Sequence, residues 1–172
     1  DLIHWTYLNP LCVGVAAENG RMWNCPSFFP LGGQHVLVVS GQPVWKPFFF
    51  AGEFDGRRLT PRTSGLVDYG GNLYAPQVFM DESGRVILWG WIWDARPDDE
   101  ILAAGWSGVM ALPRLLSLNA DGSVASHPAP EVAAASSRKS RPFADERLQC
   151  GVSRPPQRVS EPLPRLAVLA EE

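Results

Sequence analysis

Along residues 1–131 apolar positions come in short runs separated by turn residues, with no sustained period of 3.6. This pattern predicts strands over residues 3–8, 28–30, 36–40, 48–54, 58–60, 74–80, 86–93, 108–112, 115–118 and 124–126. Between them stand Leu31-Gly32-Gly33, Phe54-Asp55-Gly56, Asp81-Glu82-Ser83-Gly84 and Asn119-Ala120-Asp121-Gly122. Asp-Gly and Ser-Gly pairs supply the positive φ, or the side-chain bond, that a tight hairpin needs. Hairpins spaced by roughly 8 to 12 residues with recurrent aromatics predict an all-β sandwich, barrel or propeller. No stretch reads as a long amphipathic helix.

Composition strengthens this. The 172 residues include 16 Pro, 16 Gly and 7 Trp. Proline is disfavoured inside helices and central strands, so the loading points to many turns between short strands. Charged residues make up only 19% and the net charge is −3, which excludes a polybasic nucleic-acid binder. The longest apolar runs, Val36-Leu37-Val38-Val39 and Phe48-Phe49-Phe50-Ala51, are far shorter than a membrane span. Neither a nucleic acid nor a membrane is expected as a partner. Cys12, Cys25 and Cys150 have no zinc, C-x-x-C or disulfide-framework spacing, and the 3 His lack H-x-x-H spacing. No metal and no cofactor is expected. The chain starts at Asp1, so either a leader has been removed or the sequence begins within something longer. The compartment stays open, with the cytoplasm preferred to export.

The pattern changes near Val132. All seven Trp precede it, and residues 133–172 hold one aromatic, Phe143. Ala133-Ala134-Ala135-Ser136-Ser137-Arg138-Lys139-Ser140-Arg141-Pro142 has no apolar period of 2 or 3.6. Such a segment buries too little apolar surface to offset its ordering entropy. The expected organisation is a β domain over 1–131 and a disordered, low-complexity tail over 132–172. Within the tail, residues 163–170 are compatible with a short helix or a docked strand.

Six strings carry a resemblance. In order they are Asp1-Leu2-Ile3-His4-Trp5, Met22-Trp23-Asn24-Cys25-Pro26-Ser27-Phe28-Phe29-Pro30-Leu31 and Phe50-Ala51-Gly52-Glu53-Phe54-Asp55-Gly56. Then follow Asp68-Tyr69-Gly70-Gly71-Asn72-Leu73-Tyr74-Ala75-Pro76-Gln77-Val78-Phe79, Gly84-Arg85-Val86-Ile87-Leu88-Trp89-Gly90-Trp91 and Gly105-Trp106-Ser107-Gly108-Val109-Met110-Ala111-Leu112-Pro113-Arg114. Order and spacing resemble glycoside hydrolase family 32, the β-fructofuranosidases, from residue 1 to about 131. The resemblance implies a partial five-bladed β-propeller with a central funnel, roughly three blades of which fall in this chain. It also implies a small-molecule or oligosaccharide substrate, sucrose or a fructan. The tryptophans Trp89, Trp91, Trp93 and Trp106 are expected mainly to pack blade on blade, unless one stacks on a sugar at the funnel rim.

The family's chemistry is retaining hydrolysis by two carboxyl groups about 5 to 5.5 Å apart. Its nucleophile Asp lies in an N-D-P-N-type motif, its stabilising Asp in R-D-P and its acid/base Glu in E-C-P. This sequence contains neither of the first two. Arg96-Pro97-Asp98-Asp99, the nearest string, lies beyond the Cys-Pro motif and reads as a solvated loop. The expectation is that the blades holding both Asp residues precede Asp1 in a longer relative. In the third motif the acid position is Asn24, within Trp23-Asn24-Cys25-Pro26. A carboxamide cannot exchange a proton near neutral pH, though it still hydrogen-bonds a hydroxyl. By the same resemblance, Asp68, Tyr74, Gln77 and Trp23 are candidate substrate-binding residues, and Asn24 should lie close to Asp68. An Asx-turn before Gly70-Gly71 is the structural alternative for Asp68. Glu53 and Asp55 are assigned to a hairpin.

Three readings follow. The first is a β-fructofuranosidase-type hydrolase whose isolated chain is inactive. The second is a carbohydrate-binding propeller remnant without catalysis, and the third is a non-functional gene fragment. Self-association through an exposed blade edge is expected in any of them.

Overall fold

The computed structural model describes residues 2–137. In chain order it contains α1 (Ala16–Asn19), β1 (Met22–Leu31), β2 (Gln34–Gln42), β3 (Lys46–Phe54) and β4 (Leu59–Leu66). These are followed by β5 (Leu73–Met80), β6 (Val86–Ile92), α2 (Asp98–Ala104), β7 (Val109–Met110), β8 (Arg114–Leu118), β9 (Val124–Pro128) and α3 (Pro130–Ser137). The strands form two antiparallel sheets. One is the meander β1-β2-β3-β4; the other runs β5-β6-β8-β9, with β7 added on β6. The turns are those the sequence demands. Gly56, Gly84 and Gly122 adopt φ of 90°, 76° and 83°, and the carboxylates of Asp55, Asp81 and Asp121 accept backbone N–H groups within the same turns. Asp55 is thus a hairpin residue, as expected, while Glu53 pairs with Arg62 across the same hairpin.

The run Val36-Leu37-Val38-Val39 explains how the sheets stack. Successive side chains of a strand point to opposite faces. Val36 and Val38 join Leu31, Phe49 and Ala51 against Val86, Leu88 and Leu116 of the second sheet. Leu37 and Val39 face the other way, with Phe48, Phe50 and Leu59, and are covered by Leu11, Cys12 and Trp23. A continuous apolar run therefore marks a strand buried on both faces. Each of these side chains contributes about 1.5–3 kcal/mol on burial.

Several expectations are corrected. Two sheets, rather than roughly three blades, lie among the described residues. The strands are longer than predicted: β1 absorbs residues 22–31, and the ladder runs through Pro26 at a bulge. Residues 3–8 form no strand, and Ile3, Trp5, Tyr7 and Leu8 are exposed. The stretch 108–112 contributes only β7, because Pro113 has no N–H to extend the ladder. Asp98 and Asp99 do not lie in a loop. They open α2, where Asp98, Asp99 and Glu100 place three negative charges at the positive end of the helix dipole, and Gly105 closes it at φ 74°. Helix α3 spans the expected boundary near Val132, so residues 133–137 are helical. The rest of the tail, including 163–170, lies outside the described residues. No helix among the described residues is long and apolar enough to cross a membrane.

Candidate functional site

Two bulges face each other across the seam between the sheets. Pairing of β1 with β2 slips between Asn24 and Ser27, and pairing of β5 with β6 slips between Tyr74 and Gln77. The sequences are alike: Asn24-Cys25-Pro26-Ser27 and Tyr74-Ala75-Pro76-Gln77. In each, the second residue is left-handed, Cys25 at φ 50° and Ala75 at φ 47°. The third is proline, which has no N–H to give to a ladder. A bulge re-aims the side chains beside it, and here both bulges turn toward one another.

The seam is stitched by side chains. The Ser40 hydroxyl, fully buried, accepts from the Ala75 N–H at 3.0 Å, and the Ser27 hydroxyl accepts from the Val78 N–H at 3.2 Å. Gln77 Nε2 donates to the Cys25 carbonyl at 3.2 Å and to the Pro76 carbonyl at 3.0 Å. Asn24 Nδ2 donates to the Tyr74 hydroxyl at 3.4 Å, a long bond that leaves the carboxamide largely uncommitted. Tyr74 is buried in a cluster with Trp45 and Trp93, ring centroids 5.4 and 6.3 Å away and the two indoles 5.7 Å from each other. Asn24, Tyr74 and Gln77 are thus brought together.

Trp23 and Asp68 are placed differently. Trp23 is next to Asn24 in a strand, so it faces the opposite side. Its ring stacks on Phe50 at 4.9 Å and its indole N–H donates to the Asn19 carbonyl at 3.2 Å. It supports the bulge from behind. Asp68 Oδ2 accepts from the Gly70 N–H at 2.8 Å, forming the Asx-turn, and Oδ1 accepts from Arg114 Nη1 at 2.7 Å. Among the described residues no hydrogen bond joins Asp68 to Asn24. Both Asp68 oxygens are already engaged, and the side chain is mostly buried.

The sequence reading passed over Ser27, Ser40, Trp45 and Arg114. The doubled x-Cys/Ala-Pro-x string was the available signal for the serines, since a bulge leaves unpaired N–H groups that a neighbour must satisfy. Trp91 and Trp106, expected to pack between blades, are 43% and 55% exposed. Trp106 instead lies under the Arg96 guanidinium, 4.1 Å from the ring centre. Arg96 also pairs with Asp94 at 2.6 Å and holds that carboxyl well below the usual carboxylate range. No group of three His, Cys, Asp or Glu among the described residues is placed to hold a metal ion.

Four-stranded antiparallel meanders stacked face to face, with their first strands side by side, define a β-propeller. A family model described as the glycosyl hydrolases family 32 N-terminal domain matches residues 1–128, and the chain belongs to that family. It is 34% identical over 147 residues to a sucrose-6-phosphate hydrolase of Vibrio alginolyticus, covering 77% of this chain and 30% of that one. It is 33% identical over 150 residues to an insoluble beta-fructofuranosidase isoenzyme of Oryza sativa subsp. japonica, covering 71% and 24%. Among solved structures, a GH32 beta-fructofuranosidase of Bombyx mori superposes with a TM-score of 0.65 at 26% identity, over 78% of this chain and 31% of that one. A mutant of the same Bombyx enzyme has been solved in complex with sucrose. The chain therefore spans about a third or less of the length of these relatives.

Proposed function

We propose that this chain is part of a retaining β-fructofuranosidase-type glycoside hydrolase, that its seam binds the fructosyl group of sucrose or a fructan, and that the chain as it stands does not hydrolyse it. The observation that carries the reading is the pairing of Asn24 with Tyr74 on facing bulges, within the span matched by the family model. Residues 1–131 are the propeller portion in this reading. Asn24 occupies the acid/base position, and its carboxamide donates to and accepts from sugar hydroxyls. Tyr74 and Gln77 complete a neutral, hydrogen-bonding wall. Trp23 buttresses Asn24, and Asp68 acts at one remove, through the loop that it and Arg114 hold in place.

Acid/base catalysis contributes about 10²–10⁴-fold, and Asn24 supplies none of it. Neither N-D-P-N nor R-D-P occurs in these 172 residues, so nucleophile and stabilising carboxylate are missing too. Sucrose as substrate is supported by the sucrose-bound Bombyx relative. The test is to incubate the chain with sucrose and inulin while following fructose binding by ligand-observed NMR. Fructose contacts without fructose release are expected. Hydrolysis above the buffer rate would overturn the assignment of Asn24, and absence of any sugar contact would overturn the site.

A further inference from the structure

Along β2 the side chains that face the second sheet are Val36, Val38 and then Ser40. The first two are apolar, and Ser40 is buried as completely as they are. Its setting offers little polarity. Across the ladder it pairs with Pro47, and Pro47 and Pro76 are themselves fully buried. A hydroxyl taken from water into such a place costs free energy unless it is hydrogen-bonded. The bond that Ser40 makes is the one to the Ala75 N–H, 3.0 Å away on the other sheet.

That bond closes a circuit around the candidate fructosyl site. Ser40 stands directly opposite Asn24 in the β1–β2 ladder, where facing side chains lie about 4.5–5.5 Å apart at Cβ. Ala75 follows Tyr74, and the Tyr74 hydroxyl accepts from Asn24 at 3.4 Å. Asn24, Ser40, Ala75 and Tyr74 are therefore joined in turn by a ladder pair, a hydrogen bond, a peptide bond and a hydrogen bond. Of the two links that cross between the sheets, Asn24 to Tyr74 is long and Ser40 to Ala75 is of ordinary length.

The Ser40 link also falls on the one residue of β5 whose backbone is under strain. Ala75 is held at φ 47°, which a residue with a Cβ adopts only when its surroundings impose it. Released from Ser40, this backbone is free to relax toward extended values, and Tyr74 turns with it. Ser27 makes the same kind of bond to the Val78 N–H, but beyond Pro76, on the side of the bulge away from Tyr74.

We propose that Ser40 is a positioning residue of the sugar site: by holding the Ala75 N–H it sets Tyr74 against Asn24, and so sets the affinity for the fructosyl group. The affinity half of this rests on the fructosyl reading above, and the positioning half does not. The test reads two signals on the intact chain, the Asn24 side-chain amide in nitrogen–proton NMR and the dissociation constant for fructose. Tyr74→Phe defines where the Asn24 signal lies once its partner hydroxyl is gone. Ser40→Ala should move the signal to that place and weaken fructose about tenfold, the size of one neutral hydrogen bond. Leu59→Ala, buried on the opposite face of the same sheet, controls for lost stability and should leave both readings as in wild type. Ser40→Cys, close in size with a weak acceptor, should fall between wild type and alanine, and it decides the matter if the alanine variant does not fold. An Asn24 signal that stays put in the Ser40 variants, or moves equally in Leu59→Ala, overturns the positioning role. A signal that moves while fructose binds as before overturns the link to affinity. If the signal moves as expected but wild type binds no fructose, the fructosyl reading falls and the positioning of Tyr74 by Ser40 stands.

Discussion

The two bulges share a sequence pattern, a left-handed second residue and a proline, yet they do opposite work. The β1 bulge presents Asn24 half exposed, on a single long hydrogen bond, backed by Trp23. The β5 bulge presents Tyr74 buried in a cluster with two indoles, and its N–H groups at Ala75 and Val78 are satisfied by serines of the first sheet. The first sheet therefore supplies an adaptable polar side chain and the serine acceptors, while β5 supplies an aromatic wall and the backbone donors. The difference shows how a propeller seam separates function from support. Backbone groups freed by one bulge are satisfied across the seam, and this leaves the other bulge's side chain available for a ligand.

The seam's apolar layer should dominate stability. Leu88 is fully buried against Val36, Val38 and Leu116, and it ties the two sheets together. Leu88→Ala leaves a cavity that neither sheet can close alone, and it is expected to cost about 2–5 kcal/mol in urea unfolding. Phe79→Ala, on the exposed surface of the same sheet, should cost less than about 1 kcal/mol. Equal losses would mean that the sheets are not stacked through Leu88.

Next come the donors and acceptors. Ser40→Ala strands the Ala75 N–H at a fully buried position, for which about 1–3 kcal/mol is expected. Ser27→Ala should cost less, since its bond is longer and its side chain slightly less buried. Hydrogen exchange is the sharper readout. The Ala75 amide should lose protection in Ser40→Ala and keep it in Ser27→Ala, and the reverse should hold for Val78.

The Asp94–Arg96 clasp gives a smaller effect with a defined pH dependence. Arg96 depresses the folded pKa of Asp94, so the stabilisation is complete above the unfolded value of about 3.9 and fades as pH falls through the folded value. The Tm gap between wild type and Asp94→Asn should therefore be flat from about pH 8 to pH 5 and narrow below about pH 4. A gap that changes across neutrality would implicate another group.

Much of this architecture was legible in the residues. Strands β2, β3, β5 and β6 announced themselves by β-branched and aromatic runs between Asp-Gly or Ser-Gly turns, and both-face burial of Val36-Leu37-Val38-Val39 follows from an unbroken apolar run. Residues 3–8 misled because aromatic and aliphatic composition favours a strand only through its context, and the backbone there forms none. Helix α2 escaped because seven residues show too little periodicity, although three acids before Gly105 were a usable signal. Of the candidate residues, Asn24, Tyr74 and Gln77 come together at the seam. Asp68 was read as a ligand contact, whereas its first partners are Gly70 and Arg114, and the Arg lies 46 positions away, where no local pattern reaches.

The smallest expected effect falls on Asn24, which is only partly buried. Asn24→Glu puts a carboxyl at the proposed acid/base position, on a bulge that already aims the side chain at Tyr74. The Tyr74 hydroxyl accepts from Asn24 and would donate to the introduced carboxylate instead, so the pair keeps a hydrogen bond and stability should change by less than about 0.5 kcal/mol. Hydrolysis of sucrose by the variant should nevertheless remain at the buffer rate. A proton donor without a nucleophile cannot form the glycosyl-enzyme intermediate that retaining hydrolysis requires. Fructose affinity should fall slightly, because a carboxylate at neutral pH accepts from hydroxyls but no longer donates to them. The discriminating measurement pairs both readouts on one protein: fructose titration and sucrose turnover of Asn24→Glu beside wild type. If the single substitution produces turnover, another carboxylate of this chain is serving as nucleophile. The neutral-wall reading of the Asn24–Tyr74 pair would then have to give way to a catalytic one.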